Sequence, residues 1–236
     1  YQSDVRNLKW KVKEFFRKTV IKKMGHLVTY INGDVALARD WYGAQGAHHN
    51  SIVYTSNVYQ DYDVQSKCEG TKNIQVGNSA DRSNHHIEVF QQLLPYRELD
   101  ILIYVPLSYG DKEYAEYVIA EGTRLFGAKL KPMTDFMPFD QYLEFLGDID
   151  IAIFNHDRQQ AMGNIITLLG LGKKVFIREG ITPWNMFKSI RVKVFSTSDI
   201  ELSEMDSDIN KCNQAAIRKV FSEVELLMQL KKLFEG

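Results

Sequence analysis

The strongest constraint in this chain is a change of rhythm near Asn73. From there on, apolar runs of strand length at 74–76, 101–105, 128–130, 151–154, 175–177 and 192–195 alternate with helical patterns. The runs are continuously apolar, as expected of strands buried on both faces. Between them, Ala115, Val118, Ile119, Gly122 and Phe126 form one helix face behind a capping Asp111. Pro138 suits a first helical position, with Phe139, Tyr142, Leu143 and Leu146 following at helical spacing. Met162, Ile165, Ile166 and Leu169 repeat the pattern. Six such units predict an α/β fold, a Rossmann-like doubly wound parallel sheet with helices on both faces.

The flanks read differently. A short strand at 26–31, a turn at Gly33-Asp34, a helix through Trp41 and a second strand at 52–54 are expected before a polar, aromatic linker at 56–70. After residue 199 the chain is mostly helical, with Ile217, Val220, Val224, Leu227 and Leu230 as one stripe. The expected division is 1–70, 71–198 and 199–236, without internal repeats. The chain opens at Tyr1, inside a basic helical segment and without a signal-peptide pattern, which suggests a piece of a longer protein.

Composition removes whole classes. At 236 residues and 44% apolar content, the chain can build a real core. With 29 basic against 30 acidic residues it lacks the basic excess of a nucleic-acid binder. Two cysteines, Cys68 and Cys212, make no disulfide scaffold and point to a reducing compartment. The longest strand-like apolar stretch is about a third of a membrane span. The charge is uneven, however. Arg6, Lys9, Lys11, Lys13, Arg17, Lys18, Lys22 and Lys23 face only Asp4 and Glu14, so residues 1–25 carry +6 and the rest −7. Leu8, Val12, Phe15 and Thr19 recur there at helical spacing beside Trp10 and Phe16. Such a helix either lies on anionic lipid or packs on a domain with its lysines solvated.

In an open α/β sheet, ligands bind beyond the carboxyl ends of the strands. The first such loop runs Gly77-Asn78-Ser79-Ala80-Asp81-Arg82-Ser83-Asn84-His85-His86. Gly77 permits close backbone approach, and a helix start near Ser83 offers N–H groups to an anion. The alternative is a loop capped by Asp81 and Ser83. No G-x-G-x-x-G is present, so a dinucleotide cofactor is not expected. Adjacent His85 and His86 point apart on a helix and make a poor metal pair, whereas one of them can meet a phosphate.

After the fourth strand, Asn155-His156-Asp157-Arg158-Gln159-Gln160 leads into a helix with Gln160, Gly163, Asn164 and Thr167 along one face. Arg158 and the helix N-terminus can neutralise a diphosphate. Gly163, costly inside a helix, implies a close neighbour, either a diphosphate or another stretch of chain. After the fifth strand, Glu179 can accept from a ribose or sugar hydroxyl, or pair locally with Arg178, with Trp184 packing a helix. No Walker loop, nucleophile elbow or paired C-x-x-C occurs.

Gly77-Asn78-Ser79-x-Asp81-Arg82-Ser83-Asn84-x-His86-Ile87, Val105-Pro106 with Tyr109, Tyr114, Phe126, Arg158-Gln159-Gln160-x-x-Gly163 and Arg178-Glu179 with Trp184 occur in this order. Together they resemble the bacterial 4-acetamido-4,6-dideoxygalactosyltransferase family, the TDP-N-acetylfucosamine:lipid II N-acetylfucosaminyltransferases (4-alpha-L-fucosyltransferases) of enterobacterial common antigen assembly. The resemblance is dense from about residue 73 to 184. It implies the C-terminal, donor-binding half of a GT-B glycosyltransferase, with residues 1–54 similar to the end of the acceptor-side domain. It further implies a dTDP-linked 4-acetamido-4,6-dideoxyhexose as donor, a polyprenyl-diphosphate-linked glycan as acceptor, and a peripheral location on the cytoplasmic face of the bacterial plasma membrane. No metal or other cofactor is implied. Departures at Asn164 and His156-Asp157 leave the hexosamine open.

The expected donor set is Gly77, Asn78, Ser79, Asp81, Arg82, Asn84, Tyr109, Asn155, Gln159, Gln160, Gly163, Asn164, Arg178 and Glu179, with Arg158 stabilising the leaving diphosphate. Asp34, on a turn expected to face the cleft, is the candidate base. With half the cleft missing, this chain alone is expected to be inactive. The rival functions are a nucleotide-sugar epimerase of GT-B architecture and a non-enzymatic nucleotide-sugar-binding module.

Overall fold

The computed structural model describes residues 8–62, 64 and 70–235. The expectations for Asp4 and Arg6, for the side chains of Leu8, Lys9 and Trp10, and for Cys68 fall outside them. The described chain begins with helix α1 (Leu8–Lys23), strand β1 (His26–Val28), α2 (Asn32–Tyr42) and β2 (Ala47–His49). β1 and β2 pair in parallel as a separate two-stranded sheet. The second strand was expected at 52–54; it lies earlier, and Ile52 is instead buried in irregular chain. An Ala-His-His strand has no apolar rhythm to announce it, and its pairing to β1 decides its conformation. Gly33 and Asp34 likewise belong to the first turn of α2 rather than to a turn of their own.

The large sheet follows. Its elements are β3 (Lys72–Val76), α3 (His86–Leu93), β4 (Ile101–Pro106), α4 (Lys112–Phe126), β5 (Leu130–Met133), α5 (Phe139–Asp148), β6 (Ile151–Phe154), α6 (Met162–Gly170), β7 (Lys174–Ile177), α7 (Thr182–Ser189) and β8 (Phe195–Ser196). All six strands are parallel, in the order β5-β4-β3-β6-β7-β8. The chain winds outward one way through β3, β4 and β5, then crosses to β6 and winds the other way. That is a doubly wound α/β sheet with its switch point between β3 and β6. β6 and β7 are buried at every position, as continuous apolar runs require.

Two expected strands moved. The run at 128–130 is mostly a tight turn, and β5 begins at Leu130 with Pro132 inside it. An edge strand tolerates a proline and needs no apolar run. β8, at the other edge, keeps only two residues, although Val192 and Val194 are buried beside it.

One core lies under α5, α6 and α7 and includes Phe154, Ile165, Leu169 and Phe187; the other lies under α3 and α4 and includes Phe90, Val118 and Phe126. Each fully buried aromatic or aliphatic side chain contributes about 2–3 kcal/mol. Asp111 caps α4 by accepting from the Tyr114 N–H at 3.1 Å. The C-terminal stripe is split between α8 (Ser207–Val220) and α9 (Glu223–Glu235), with Ile217 buried and Val224 and Leu227 exposed. Among the described residues no helix is long and apolar enough to cross a membrane.

Candidate functional site

The loops leaving β3 and β6 diverge at the switch point, and a cleft of about 810 Å³ opens between them. Asn78, Ser79, Asp81, Tyr109, Arg158, Gln160, Gly163, Asn164 and Thr167 line it from the large sheet. Residues 55–58, with Gln60 and Tyr62, form the facing wall. Those wall residues were not singled out in the sequence, although Gly163 and Gly170 on one face of α6 mark where they lie. A methyl on Gly163 would stand 2.5 Å from the Ser56 carbonyl oxygen, and one on Gly170 would collide with the Tyr59 ring. The close approach expected at Gly163 is therefore made by the chain itself rather than by a diphosphate.

The β3 loop is held by amide side chains. Gly77 adopts the left-handed conformation, φ 69°, with Asn84 and His86 packed where a side chain would go. Asn84 accepts from the Asn78 N–H at 3.0 Å and from His156 Nε2 at 2.9 Å. Gln160 Nε2 donates to Asn78 Oδ1 and to Ser79 Oγ, both at 3.2 Å, while its carbonyl accepts from Ser83 Oγ at 3.0 Å. Asn78 Nδ2 donates to the Tyr109 hydroxyl at 2.7 Å. The helix expected near Ser83 is a single 3₁₀ turn at Arg82–Asn84, because Asp81 accepts from the Ser83 N–H and His85 then turns left-handed before α3.

Arg158 is half exposed in this cleft, its guanidinium 3.4 Å from Asp81 Oδ2. Hydrogen bonds from Ser83 and the nearby Arg158 hold the Asp81 carboxyl below its ordinary range. The first turn of α6 opens beside them through Gly163 and Asn164, and its N–H groups lack intrahelical acceptors. A forked cation and a helix N-terminus on one wall are groups that can hold an anion.

Other predicted residues lie elsewhere. Asn155 and Arg178 join Glu88 on α3: Arg178 Nη2 donates to Glu88 Oε2 at 2.7 Å, and Asn155 Nδ2 donates to it at 3.0 Å. Arg178 is thus committed to Glu88 rather than to Glu179, which stands exposed beyond β7. Arg82 lies over the Tyr114 ring at 5.0 Å. Gln159 is half-buried beside the cleft without lining it. His85 bridges Glu88 and Asp157, and His86 is fully buried, so neither faces the cleft. Asp34 accepts from Thr182 Oγ1 at 2.5 Å where α2 packs on α7, and it does not line the cleft. Burial raises its carboxyl, partly offset by that hydroxyl. Among the described residues no group of three or more His, Cys, Asp or Glu is arranged to hold a metal ion.

A model of the 4-alpha-L-fucosyltransferases, glycosyl transferase group 56, matches residues 1–222. The chain belongs to this family. Solved structures with the fold of this group 56 chain include sucrose-phosphate synthase from Thermosynechococcus elongatus, TM-score 0.66 at 9% identity, covering 98% of this chain and 63% of that one. The UDP-forming trehalose-phosphate synthase of Burkholderia xenovorans matches with TM-score 0.64 at 10% identity, over 94% of this chain and 62% of that one. WaaG, a glycosyltransferase involved in lipopolysaccharide biosynthesis, matches with TM-score 0.60 at 11% identity, over 95% and 62%. At such identities the likeness concerns the fold, which is that of GT-B glycosyltransferases. The group 56 chain spans less than two thirds of the length of these structures.

Proposed function

We propose that this chain is the donor-binding part of a glycosyltransferase that moves a 4-acetamido-4,6-dideoxyhexose from a dTDP-sugar to a polyprenyl-diphosphate-linked glycan. The observation that carries the reading is the meeting of Arg158 and the α6 N-terminus in one cleft at the sheet's switch point. As the acceptor hydroxyl attacks the anomeric carbon it gives up its proton to a base on the acceptor side, the bond to the diphosphate oxygen breaks and its electron pair leaves on that oxygen. Arg158 and the α6 N–H groups take up the developing charge. An annex of about 290 Å³ adjoins the cleft, lined by Pro106, Met133, Phe136 and Met137 and sharing Tyr109, Phe139 and Tyr142 with it. Flat aromatic walls of this kind suit a nucleobase. The family assignment supports the sugar class, and WaaG's involvement in lipopolysaccharide biosynthesis is in keeping with a surface-polysaccharide acceptor.

Residues 8–62 are in this reading the end of the acceptor-side domain. Val12, Phe15, Phe16 and Val20 of α1 point outward, contrary to a helix that buries Val12 and Phe15 on its own domain. Exposed Lys11, Lys13, Lys18, Lys22 and Lys23 flank them. That arrangement fits peripheral contact with an anionic bilayer on the cytoplasmic side. Co-sedimentation with phosphatidylglycerol vesicles but not phosphatidylcholine vesicles is the expected result.

The donor reading is tested by calorimetric titration with dTDP, with UDP and GDP as controls and EDTA present. Selective dTDP binding is expected. Binding of UDP or GDP in preference would overturn the donor assignment.

A further inference from the structure

His156 has no part in the functional reading so far, yet it is buried to 1% exposure directly behind the cleft wall. Its neighbour Asn84 is fully buried, and the orientation of the Asn84 amide is fixed by two backbone groups. Oδ1 accepts from the Asn78 N–H at 3.0 Å, and Nδ2 donates to the Asp81 carbonyl at 3.1 Å. A backbone N–H can only donate and a carbonyl can only accept, so the amide has one possible setting. The His156 Nε2 at 2.9 Å from the same Oδ1 must then carry the proton. Burial pushes His156 down to about 3, so the ring is neutral and this tautomer is its resting form.

The consequence runs through the loop. His156 stands on the β6 side of the switch point, while Asn78 and Asp81 stand on the β3 side. Asn84 links them, and it consumes the Asn78 N–H. Among the described residues, the N–H groups of Ser79 and Asp81 have no protein acceptor. Both residues line the cleft. The loop is thus held from behind at one N–H while others are left for a ligand.

We propose that His156 is a positioning residue that acts through Asn84 to set the Gly77–Asp81 loop for the leaving diphosphate of the donor. It touches no substrate itself. This inference rests on the nucleoside-diphosphate reading of the cleft.

The experiment titrates the chain with dTDP, inorganic pyrophosphate and thymidine, for the native protein and for His156→Leu and His156→Gln. The leucine variant is expected to lose about tenfold or more in dTDP and pyrophosphate affinity, with thymidine binding unchanged. Glutamine, which keeps an N–H donor, should restore most of it. If the native protein binds none of these ligands, the diphosphate reading itself falls and takes this inference with it. If native binding is normal and His156→Leu matches it, only the positioning role is overturned. Equal weakening of dTDP and thymidine also overturns it, since that marks a general loss of structure. Should the leucine variant not fold, ¹⁵N spectra of the native protein decide. A neutral Nε2–H tautomer whose signal shifts on dTDP addition supports the role, and an Nδ1–H or protonated ring refutes it.

Discussion

In the large sheet, β6 and β7 expose nothing, whereas β1 and β2 leave His26, Val28 and Ala47 open to solvent. The same asymmetry holds for the helices. α6 buries Met162, Ile165, Ile166 and Leu169, while α1 turns Phe15 and Phe16 outward, at 70% and 62% exposure. One region is stabilised by its own apolar interior. The other is anchored by what it lends to that interior, Ile31, Ile52 and Tyr59 being buried in the core under α6 and α7, and by cross-links such as Asp34 with Thr182. Where burial does the work, substitutions should be costly; where it does not, they should be nearly silent.

The largest contrast is expected from Gly77→Ala. The new methyl would stand 2.5 Å from His86 Nε2 and 2.7 Å from Asn84 Oδ1, on a residue with φ 69°. A stability loss of about 3 kcal/mol by urea unfolding, with nucleotide binding abolished, is expected. Gly170→Ala comes next, because the Tyr59 ring must move off α6. It should cost about 2 kcal/mol and loosen the facing wall, raising protease sensitivity near residue 60. Arg158→Ala should leave unfolding unchanged, its contact to Asp81 being long and half exposed, yet raise the dTDP dissociation constant about 10- to 100-fold.

Acid probes the same comparison. His86 and His156 are buried neutral, pushed down from 6.5 to about 4 and about 3. An imidazole whose pKa is depressed by folding contributes its full stability above about 6.5 and loses it as pH falls toward the folded value. Unfolding midpoints should therefore drop from about pH 6.5 down to about 3, and His156→Gln should flatten the profile. The smallest effect is expected from Phe16→Ser on α1, within about 0.5 kcal/mol in unfolding, alongside a measurable loss of vesicle binding. A large stability loss there would mean that the two regions do not differ as described.

The asymmetry also explains what could be read in advance. The central strands were legible because burial on both faces demands continuous apolar runs, and α6 because its stripe sits on one core. β2, as Ala-His-His, carries no such demand, and β5 and β8 are edges that need neither length nor an apolar run. At the site, the residues clustered on the two switch-point loops were legible from order alone: Asn78, Ser79, Asp81, Arg158, Gln160 and Asn164 do converge on one cleft. Asn155, Arg178 and Asp34 were not, because each found its partner on an element distant in sequence, on Glu88 or Thr182. The wall at residues 55–58 left only the indirect sign of two small residues on a helix.

That wall is fastened from the far end of the chain. The Tyr59 N–H donates to the Phe221 carbonyl at 2.8 Å, and the Ile52 N–H to Gln229 Oε1, also at 2.8 Å. A nascent chain can close the large sheet once β8 has been made, but its cleft must stay half-walled until the final helix emerges. Contacts of such sequence separation form late. Ligand binding by a ribosome-held chain should thus lag behind formation of the large sheet until Phe221 and Gln229 have emerged and fastened the wall.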